Sequence, residues 1–327
     1  MQMFPDKYIV LTGGAGLIGS GVLRVLNDQG IKNVVIVEDI GTNEHWKNLV
    51  GKQFWEIIHK DELFSWLKGK EREIEAFIHL GACSSTVEKD ANYLLSNNYR
   101  YSIRLAEYAL ENEHRFIYAS SAATYGNGEK GFSDAHEALH SFEPLNMYGY
   151  SKHLFDLWLY EQNLLDKVVG LKYFNVFGPN EFHKGRMSSA VLKMVPEALE
   201  TGKISLFKSS EPEKFADGEQ VRDFLYVKDA ARMTVQFLQN EEGGIFNVGA
   251  GRPETWNDLA KGVIKALDRP IAITYHDMPE DLLGKYQNYT CADMSKSEAK
   301  GLLKTAYSLE DAVVEYVRSY LLTGRHW

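Results

Sequence analysis

A tyrosine and a lysine four residues apart are the side chains with the clearest potential for chemistry. Tyr148 and Lys152 stand in the run Tyr-Gly-Tyr-Ser-Lys, and on a helix they would share one face. An ammonium beside a phenol favours the phenolate, and together with the positive charge of an oxidised hydride acceptor it would lower the phenol pKa from its usual value of about 10. We therefore expect Tyr148 to take a proton from a hydroxyl while hydride leaves the same carbon.

Two serines upstream could complete this chemistry. Ser120 and Ser121 follow the apolar run 116–119, which predicts a buried strand. A hydroxyl at the end of that strand could hold the substrate oxygen opposite Tyr148 and polarise the developing carbonyl. Either serine could take that role beside Tyr148 and Lys152.

The first element that must position these residues is a glycine turn near the start of the chain. Residues 8–12 form an apolar run that predicts a strand, and helical spacing of apolar residues follows the glycines. The turn matches both G-x-G-x-x-G and G-x-x-G-x-x-G, so the backbone can approach a pyrophosphate at the helix N-terminus. The predicted dinucleotide contacts in the turn are Gly13, Gly14, Gly16, Leu17, Ile18 and Gly19.

Two acidic residues follow the second predicted strand. Glu38 and Asp39 stand at the right distance from the glycines to accept from the ribose hydroxyls of an adenosine. Two carboxylates there would repel a 2′-phosphate, which favours NAD. His45, Lys47 and Lys60 follow in predicted loops and could offset this charge, so the choice between NAD and NADP stays open.

Small residues come after the third predicted strand, residues 76–80. In an open parallel sheet, ligands bind at the carboxyl ends of the strands, where small side chains let a dinucleotide pass close to the backbone. The predicted helix over 92–112 adds a polar side chain that could reach back to the cofactor. The predicted contacts in this region are Leu80, Gly81, Ala82, Cys83, Ser84 and Asn97.

The alternation of strands and helices predicts the fold class. We expect an α/β protein: a Rossmann-type doubly wound parallel sheet with a smaller mixed α/β substrate lobe. Residues 1–174 are predicted to form mainly the dinucleotide-binding domain. Residues 175–327 are predicted to form mainly the substrate lobe, with some segments returning to the first domain.

Composition excludes several classes of function. The formal net charge is −9 and the basic residues are scattered, which argues against a nucleic-acid binder. We find neither a signal-peptide pattern nor an apolar stretch long enough to span a membrane. Two cysteines cannot build a disulfide framework or a Cys-rich zinc site, and no His spacing indicates a metal. We expect a cytoplasmic protein without a metal centre and without nucleic-acid or membrane partners.

Three runs resemble the extended short-chain dehydrogenase/reductase superfamily of nucleotide-sugar enzymes. They are residues 12–19, the segment from Ser121 to Tyr125-Gly126, and residues 148–152. Within that superfamily, the chain is similar nearly end to end to the ADP-L-glycero-D-manno-heptose 6-epimerases. The runs that carry this resemblance are residues 81–86, 118–126, 173–179, 183–185 and 286–287.

The resemblance implies an isomerase that inverts C6 of the heptose in an ADP-sugar, through a 6-keto intermediate to which hydride returns. The product would feed lipopolysaccharide core or other heptose-containing glycan synthesis. One tightly bound NADP or NAD per subunit is implied, NADP by resemblance, and so is a homo-oligomer. The resemblance gives the catalytic hydroxyl role to Ser121 and makes Lys184 the second proton-transfer residue, across the sugar from Tyr148. Lys60, Lys152, Val176 and Lys184 also become cofactor contacts.

The resemblance also implies a set of contacts to the nucleotide-sugar substrate. Asn175 follows a predicted strand, where its amide could bind a sugar hydroxyl, and Arg222 is a natural bidentate partner for a diphosphate. Arg186 and Lys193 stand where the family commonly has Ser and His, and segment 210–220 is longer than in the family. The implied substrate contacts are Ser121, Asn175, Arg186, Lys193, Phe207, Lys208, Ser209, Ser210, Arg222 and Tyr286.

Two other functions compete with this interpretation. A UDP-hexose 4-epimerase, or another nucleotide-sugar epimerase, shares Ser121, Tyr148 and Lys152 but would not need Lys184. A non-catalytic dinucleotide-binding protein could keep the fold, although retention of the three catalytic residue types argues against it. A 4,6-dehydratase needs acidic residues just after the catalytic Ser or Thr, and this chain has Ala122 and Ala123 there.

Overall fold

The computed structural model describes residues 6–279 and 287–327, so the predicted substrate contact Tyr286 lies outside the described residues. Seven parallel strands form the main sheet, in the order β3-β2-β1-β4-β5-β6-β11. The strands are β1 (Tyr8–Thr12), β2 (Val34–Glu38), β3 (Glu56–His59), β4 (Ile74–His79), β5 (Arg115–Ser121), β6 (Val169–Tyr173), β7 (Asn175–Phe177), β8 (Lys203–Phe207), β9 (Val221–Arg222), β10 (Phe224–Tyr226), β11 (Gly244–Val248), β12 (Glu254–Thr255) and β13 (Ala272–His276).

Helices cover both faces of the sheet. The α-helices of the described residues, in chain order, are α1 (Leu17–Asp28), α2 (Leu63–Trp66), α3 (Ala91–Leu94), α4 (Tyr101–Glu111), α5 (Met147–Glu161), α6 (Ala190–Thr201), α7 (Val227–Val235), α8 (Trp256–Leu267), α9 (Ser295–Ala299) and α10 (Leu309–Glu315). A π-helical segment, Leu95–Arg100, joins α3 to α4.

Alternation along the central strands places apolar side chains in two cores. In β1, Ile9 and Leu11 pack on the face covered by α1 and α7, whereas Val10 packs on the face covered by α4 and α5. Strands buried on both faces must be apolar at nearly every position, which explains the continuous apolar runs in the sequence. The sheet with its two helical layers is the predicted Rossmann-type fold.

A third core belongs to the second half of the chain. Helices α6, α8 and α10 pack there around the buried residues Val191, Leu259 and Val313. Strands β8 and β13 form a parallel pair beside them. Strand β11 instead pairs with β6 and extends the main sheet. The later part of the chain therefore contributes to the main sheet as well as to the third core.

The order of the strands fixes where a ligand can bind. Strand β1 lies between β2 and β4, so the connections from β1 and β4 leave toward opposite sides and open a crevice at their carboxyl ends. In residues 6–279 and 287–327, none of the helices combines the length and the apolar character needed to cross a membrane.

Candidate active site

A cleft of about 920 Å³ lies along the carboxyl edge of the main sheet. Its lining on the sheet side includes the predicted cofactor residues Gly13, Gly16, Leu17, Ile18, Gly19, Glu38, Leu80, Gly81, Ala82, Cys83 and Ser84. Other lining residues follow the sixth strand or belong to the third core. Among them are the predicted residues Asn175, Val176, Lys184, Lys193 and Phe207.

The glycine turn is packed too tightly for side chains. Gly13 has φ of 71°, and a Cβ on it would lie 2.6 Å from the backbone nitrogen of Gly81. A non-glycine residue would therefore be strained and would push the ends of β1 and β4 apart. Gly14 serves packing, because a Cβ there would meet Ile36 at 2.8 Å.

A buried hydrogen-bond chain fixes the floor of this turn. Thr12 Oγ1 accepts from the Gly81 N–H at 3.0 Å and pairs with His79 Nδ1 at 2.7 Å. Ser102 Oγ donates to the Asn98 carbonyl at 2.6 Å, so His79 Nε2 donates to Ser102 across 2.9 Å. Burial lowers the pKa of His79 to about 3, and the neutral imidazole acts as a structural link between β4 and α4.

The predicted ribose-binding carboxylate is oriented by backbone amides. Glu38 accepts from the Ala15 N–H at 3.0 Å and from the Asp39 N–H at 3.1 Å. Lys60 donates to Asn97 at 2.9 Å and lies 3.8 Å from the Asp39 carboxylate. Glu38 lines the cleft; Asp39, Lys60 and Asn97 form a separate group beyond the described lining.

The three predicted catalytic residues, Ser121, Tyr148 and Lys152, line the cleft together. Asn146 caps α5 by accepting from the Gly149 N–H at 2.8 Å, which places Tyr148 and Lys152 in the first two turns of the helix. Ser121 stands at the end of β5 and is hydrogen-bonded to the Tyr148 phenol. The Lys152 ammonium donates to the Ala119 carbonyl at 2.8 Å.

Burial is the largest influence on the pKa values of Tyr148 and Lys152. Burial raises the pKa of Tyr148, and the hydrogen bond with Ser121 only partly opposes that rise. Burial also lowers the pKa of Lys152 to about 8, against the attraction of Asp156. In the protein alone, desolvation raises the phenol pKa and the Lys152 ammonium donates to the Ala119 carbonyl. The expected lowering, which also relies on the charge of an oxidised nicotinamide, stays a prediction.

A buried ion pair supports the strand end that carries the serines. Asp156 accepts from Lys172 at 2.6 Å and from Ser120 at 2.7 Å. Lys172 also donates to Thr124 at 2.6 Å, and Thr124 donates to the Ser121 carbonyl at 2.8 Å. Both charged groups are almost fully buried, so each depends on the other for compensation.

Lys184 lies in a short helical loop, Phe182–Met187, that includes Gly185 at φ 50°. Its backbone N–H donates to the Glu181 carbonyl at 2.9 Å. Burial lowers the pKa of Lys184, and the Glu181 carboxylate opposes that effect. The loop thus presents to the cleft a lysine that gives up its proton more readily than a solvated one.

Several predicted substrate residues lie outside the described lining of the cleft. Lys208 pairs with Asp277 at 2.9 Å, and the Arg222 guanidinium lies 5.7 Å from the Trp256 ring centroid and donates to the Val221 carbonyl. Lys193 lines the cleft and donates to the Arg186 carbonyl at 2.9 Å. The predicted residues beyond the lining on this side are Arg186, Lys208, Ser209, Ser210 and Arg222.

Sequence reasoning missed most of the wall formed by the third core. One face of α6 and parts of β8, α8 and β13 contribute it. On α6 the signal was a helical spacing of side chains, but that spacing is equally typical of a packing face. The missed lining residues include Ala190, Val191, Met194, Glu197, Ser205, Leu206, Trp256, Leu259 and His276.

A glycine turn beside a Ser-Tyr-Lys group at the carboxyl edge of a parallel sheet defines a class of protein: an enzyme that uses a nicotinamide dinucleotide to oxidise a carbon bearing a hydroxyl. Comparison with known proteins agrees. A model of the family described as "NAD dependent epimerase/dehydratase family" matches residues 9–249. The chain belongs to this family.

Individual relatives cover nearly the whole chain. It is 48% identical over 315 residues to an ADP-L-glycero-D-manno-heptose-6-epimerase of Nitratidesulfovibrio vulgaris strain DP4, covering 95% of this chain and 97% of that protein. A protein of the same name from Fusobacterium nucleatum is 44% identical over 325 residues, covering 96% and 98%. The crystal structure of the Helicobacter pylori ADP-L-glycero-D-manno-heptose-6-epimerase superposes with a TM-score of 0.82 at 26% identity, covering 98% of each chain.

Proposed function

We propose that this protein inverts C6 of an ADP-heptose, converting ADP-D-glycero-D-manno-heptose to ADP-L-glycero-D-manno-heptose. The observation that carries the proposal is that Tyr148 and Lys184, two groups able to transfer protons, line one cleft together with the glycine turn. We call this turn, residues 13–19, the dinucleotide seat. The names of relatives at 44% and 48% identity over nearly the full chain support the substrate.

Inversion of one carbon explains the need for two proton-transfer groups. A nicotinamide dinucleotide, when bound, would supply the hydride acceptor for C6 and the donor that returns the hydride to the other face of the ketone. The C6 oxygen occupies different positions in the two epimers, so Tyr148 serves one position and Lys184 the other. Ser121 polarises the carbonyl oxygen between the two steps.

The residues near the adenosine end bear on the choice of dinucleotide. Glu38 and Asp39 place two carboxylates there, and Lys60 lies 3.8 Å from Asp39. The carboxylates favour NAD, whereas Lys60 and the resemblance to the heptose epimerases support NADP. Denaturing the purified protein and measuring the mass of the released dinucleotide assigns the cofactor, since NADP carries one more phosphate than NAD.

We also propose the larger-scale properties that the resemblance implies. The chain self-associates, and light scattering should give a mass above 37.2 kDa for the particle in solution. Residues 1–174 form mainly the dinucleotide-binding domain, and residues 175–327 mainly the substrate lobe. Two free cysteines, Cys83 and Cys291, support a reducing, cytoplasmic compartment.

The proposed function is tested by direct conversion. The purified protein, without added cofactor, is incubated with ADP-D-glycero-β-D-manno-heptose, and the signal of the C6 epimer is followed by NMR. Conversion to the L-glycero epimer is the expected result. A parallel sample receives UDP-glucose; formation of UDP-galactose without any conversion of the heptose would overturn the proposal in favour of a hexose 4-epimerase.

A further inference from the structure

A buried asparagine joins the glycine turn to the loop that carries Lys184. Asn48 is 1% exposed, and its two amide hydrogens point to the carbonyls of Ala15 and Asn180, each 2.9 Å away. Its Oδ1 lies 2.7 Å from His326 Nδ1. The amide therefore has a partner for each of its hydrogens and for its oxygen, in three distant parts of the chain.

Both ends of these bonds lie at functional segments. Ala15 stands inside the glycine turn, and its own N–H donates to Glu38 at 3.0 Å. Asn180 precedes the loop at Phe182–Met187 and is fully buried with φ of 78°. The side chain of Asn48 thus holds one carbonyl of the dinucleotide seat and one carbonyl at the base of the Lys184 loop.

Further contacts make the base of the loop rigid. Asn180 Oδ1 accepts from the Trp327 N–H at 2.8 Å, while its amide nitrogen donates to Ser20 of α1 at 3.0 Å. The next residue, Glu181, accepts from the Ser189 N–H at 2.6 Å and from the Tyr316 hydroxyl at 2.9 Å. Hydrogen bonds therefore hold residues 180 and 181 to α1, to Ser189 and to residues 316 and 327.

We propose that Asn48 is a positioning residue that couples occupancy of the dinucleotide seat to the order of the Lys184 loop. The inference rests on the proposed roles of the glycine turn and of Lys184. A dinucleotide that fixes the turn also fixes the Ala15 carbonyl, and through Asn48 it restricts residues 180–189. By reciprocity, an ordered Lys184 loop favours dinucleotide binding by the same free energy with which a bound dinucleotide favours the ordered loop.

Hydrogen exchange measured by mass spectrometry tests the coupling without any nucleotide sugar. Cofactor-free protein is compared with protein saturated with NAD⁺ or, in a separate arm, NADP⁺. In the wild type, the dinucleotide that binds should slow exchange in peptides covering 180–189 by about 3-fold or more. Peptides covering 79–84, at the end of β4, report independently that the dinucleotide has bound.

The variant Asn48→Asp keeps the shape of the side chain but replaces its NH2 group by a carboxylate oxygen. That oxygen cannot donate to the carbonyls of Ala15 and Asn180. In this variant the dinucleotide should still slow peptides 79–84, but the slowing at 180–189 should be lost. Its kcat should also fall by about 10-fold or more at saturating cofactor and substrate, with a smaller change in KM.

Asn247→Asp is the matched control. Asn247 is also 1% exposed and donates to the carbonyls of Phe132 and Asp293, at 2.7 and 2.9 Å, far along the chain from the glycine turn. It should lose stability as Asn48→Asp does, yet keep the slowing at 180–189. A wild type without slowing at 180–189, or an Asn48→Asp variant that keeps it, would overturn the coupling, and neither outcome depends on the identity of the sugar.

Discussion

Tyr148 and Tyr150 lie two residues apart on α5, but only Tyr148 lines the cleft, and Tyr150 is 45% exposed. The substitution Tyr148→Phe removes the proton-transfer group while keeping the ring, so turnover should fall by at least about 10²-fold. The dinucleotide should remain bound, since the glycine turn is untouched. Tyr150→Phe is the control and should retain activity; unchanged turnover in Tyr148→Phe would contradict the assigned role.

Lys184 is predicted to act through its proton and not only through its charge. Lys184→Ala should lower kcat by about 10²-fold with little loss of bound dinucleotide. Lys184→Arg keeps a positive charge but cannot release a proton near neutral pH, so it should be nearly as slow as the alanine variant. Steady-state kinetics and the dinucleotide content of each variant provide the measurement, and activity restored by arginine would refute proton transfer.

Lys152 illustrates a conflict between stability and activity. Its folded pKa is about 8 against an ordinary 10.5, so between these values the unfolded chain binds more protons and stability rises with pH. At pH 7 the buried ammonium costs about 3 kcal/mol. Lys152→Met should therefore abolish turnover yet raise the free energy of unfolding of the cofactor-free protein by about 1–3 kcal/mol, allowing for the lost bond to Ala119.

The pH dependence provides the check on that account. The gain in Lys152→Met should shrink as the pH approaches 10, because the wild-type lysine is by then neutral in the folded state. Denaturant unfolding at pH 7 and pH 10 measures both free energies. A variant that is less stable than the wild type at pH 7 would show that Lys152 stabilises the fold.

The placement of the proposed catalytic residues was predictable because it follows from the helix and the strand that carry them. Tyr148 and Lys152 share a helix, and Ser121 ends a strand, so spacing alone indicates where each side chain lies. Arg222 and Lys208 were predicted from their residue type and the resemblance, and in the structure they contact Trp256 and Asp277. Their orientation depends on loops and neighbouring strands, which no local pattern specifies.

A buried carboxylate, that of Glu181, stands directly before the loop Phe182–Met187. Glu181 raises the pKa of Lys184 by its charge, so Glu181→Gln should lower that pKa further. The midpoint of the pH dependence of Lys184 acylation by acetic anhydride, followed by peptide mass spectrometry, should move to lower pH. Tyr316→Phe removes a hydrogen bond to the same carboxylate but keeps its charge, and should leave the midpoint near the wild-type value.

Strands were predicted better than loops and helical irregularities. The first strand has the predicted bounds, Tyr8–Thr12, because a buried parallel strand reads as an uninterrupted apolar run that ends in glycine. The predicted helix over 92–112 is continuous through α3, the π-helical segment Leu95–Arg100 and α4, but its pattern did not predict the π-helical turn. There the Asn98 side chain accepts from the Cys83 N–H and donates to the Cys83 carbonyl, and a contact of this kind is specified by tertiary packing.

In the whole molecule, the least predictable contacts join the ends of the chain. His326 is hydrogen-bonded to Asn48, and Trp327 is hydrogen-bonded to Asn180. Asn48 contacts the glycine turn, and Asn180 precedes the Lys184 loop. Such contacts have no periodicity and span hundreds of residues, so no sequence pattern predicts them. The same holds for the wall of the cleft that α6, β8, α8 and β13 contribute. The fold class needed only the strand pattern, because right-handed βαβ connections leave few alternatives.

Return of the same hydride at C6 is the central claim of the proposed function. The purified protein, without added cofactor, is given ADP-D-glycero-β-D-manno-heptose with deuterium at C6 in ordinary water, and both epimers are followed by NMR. We expect the L-glycero epimer to form with its deuterium retained at C6, since the label never meets solvent. Replacement of the deuterium by solvent hydrogen, or the absence of any conversion, would contradict epimerisation by hydride return.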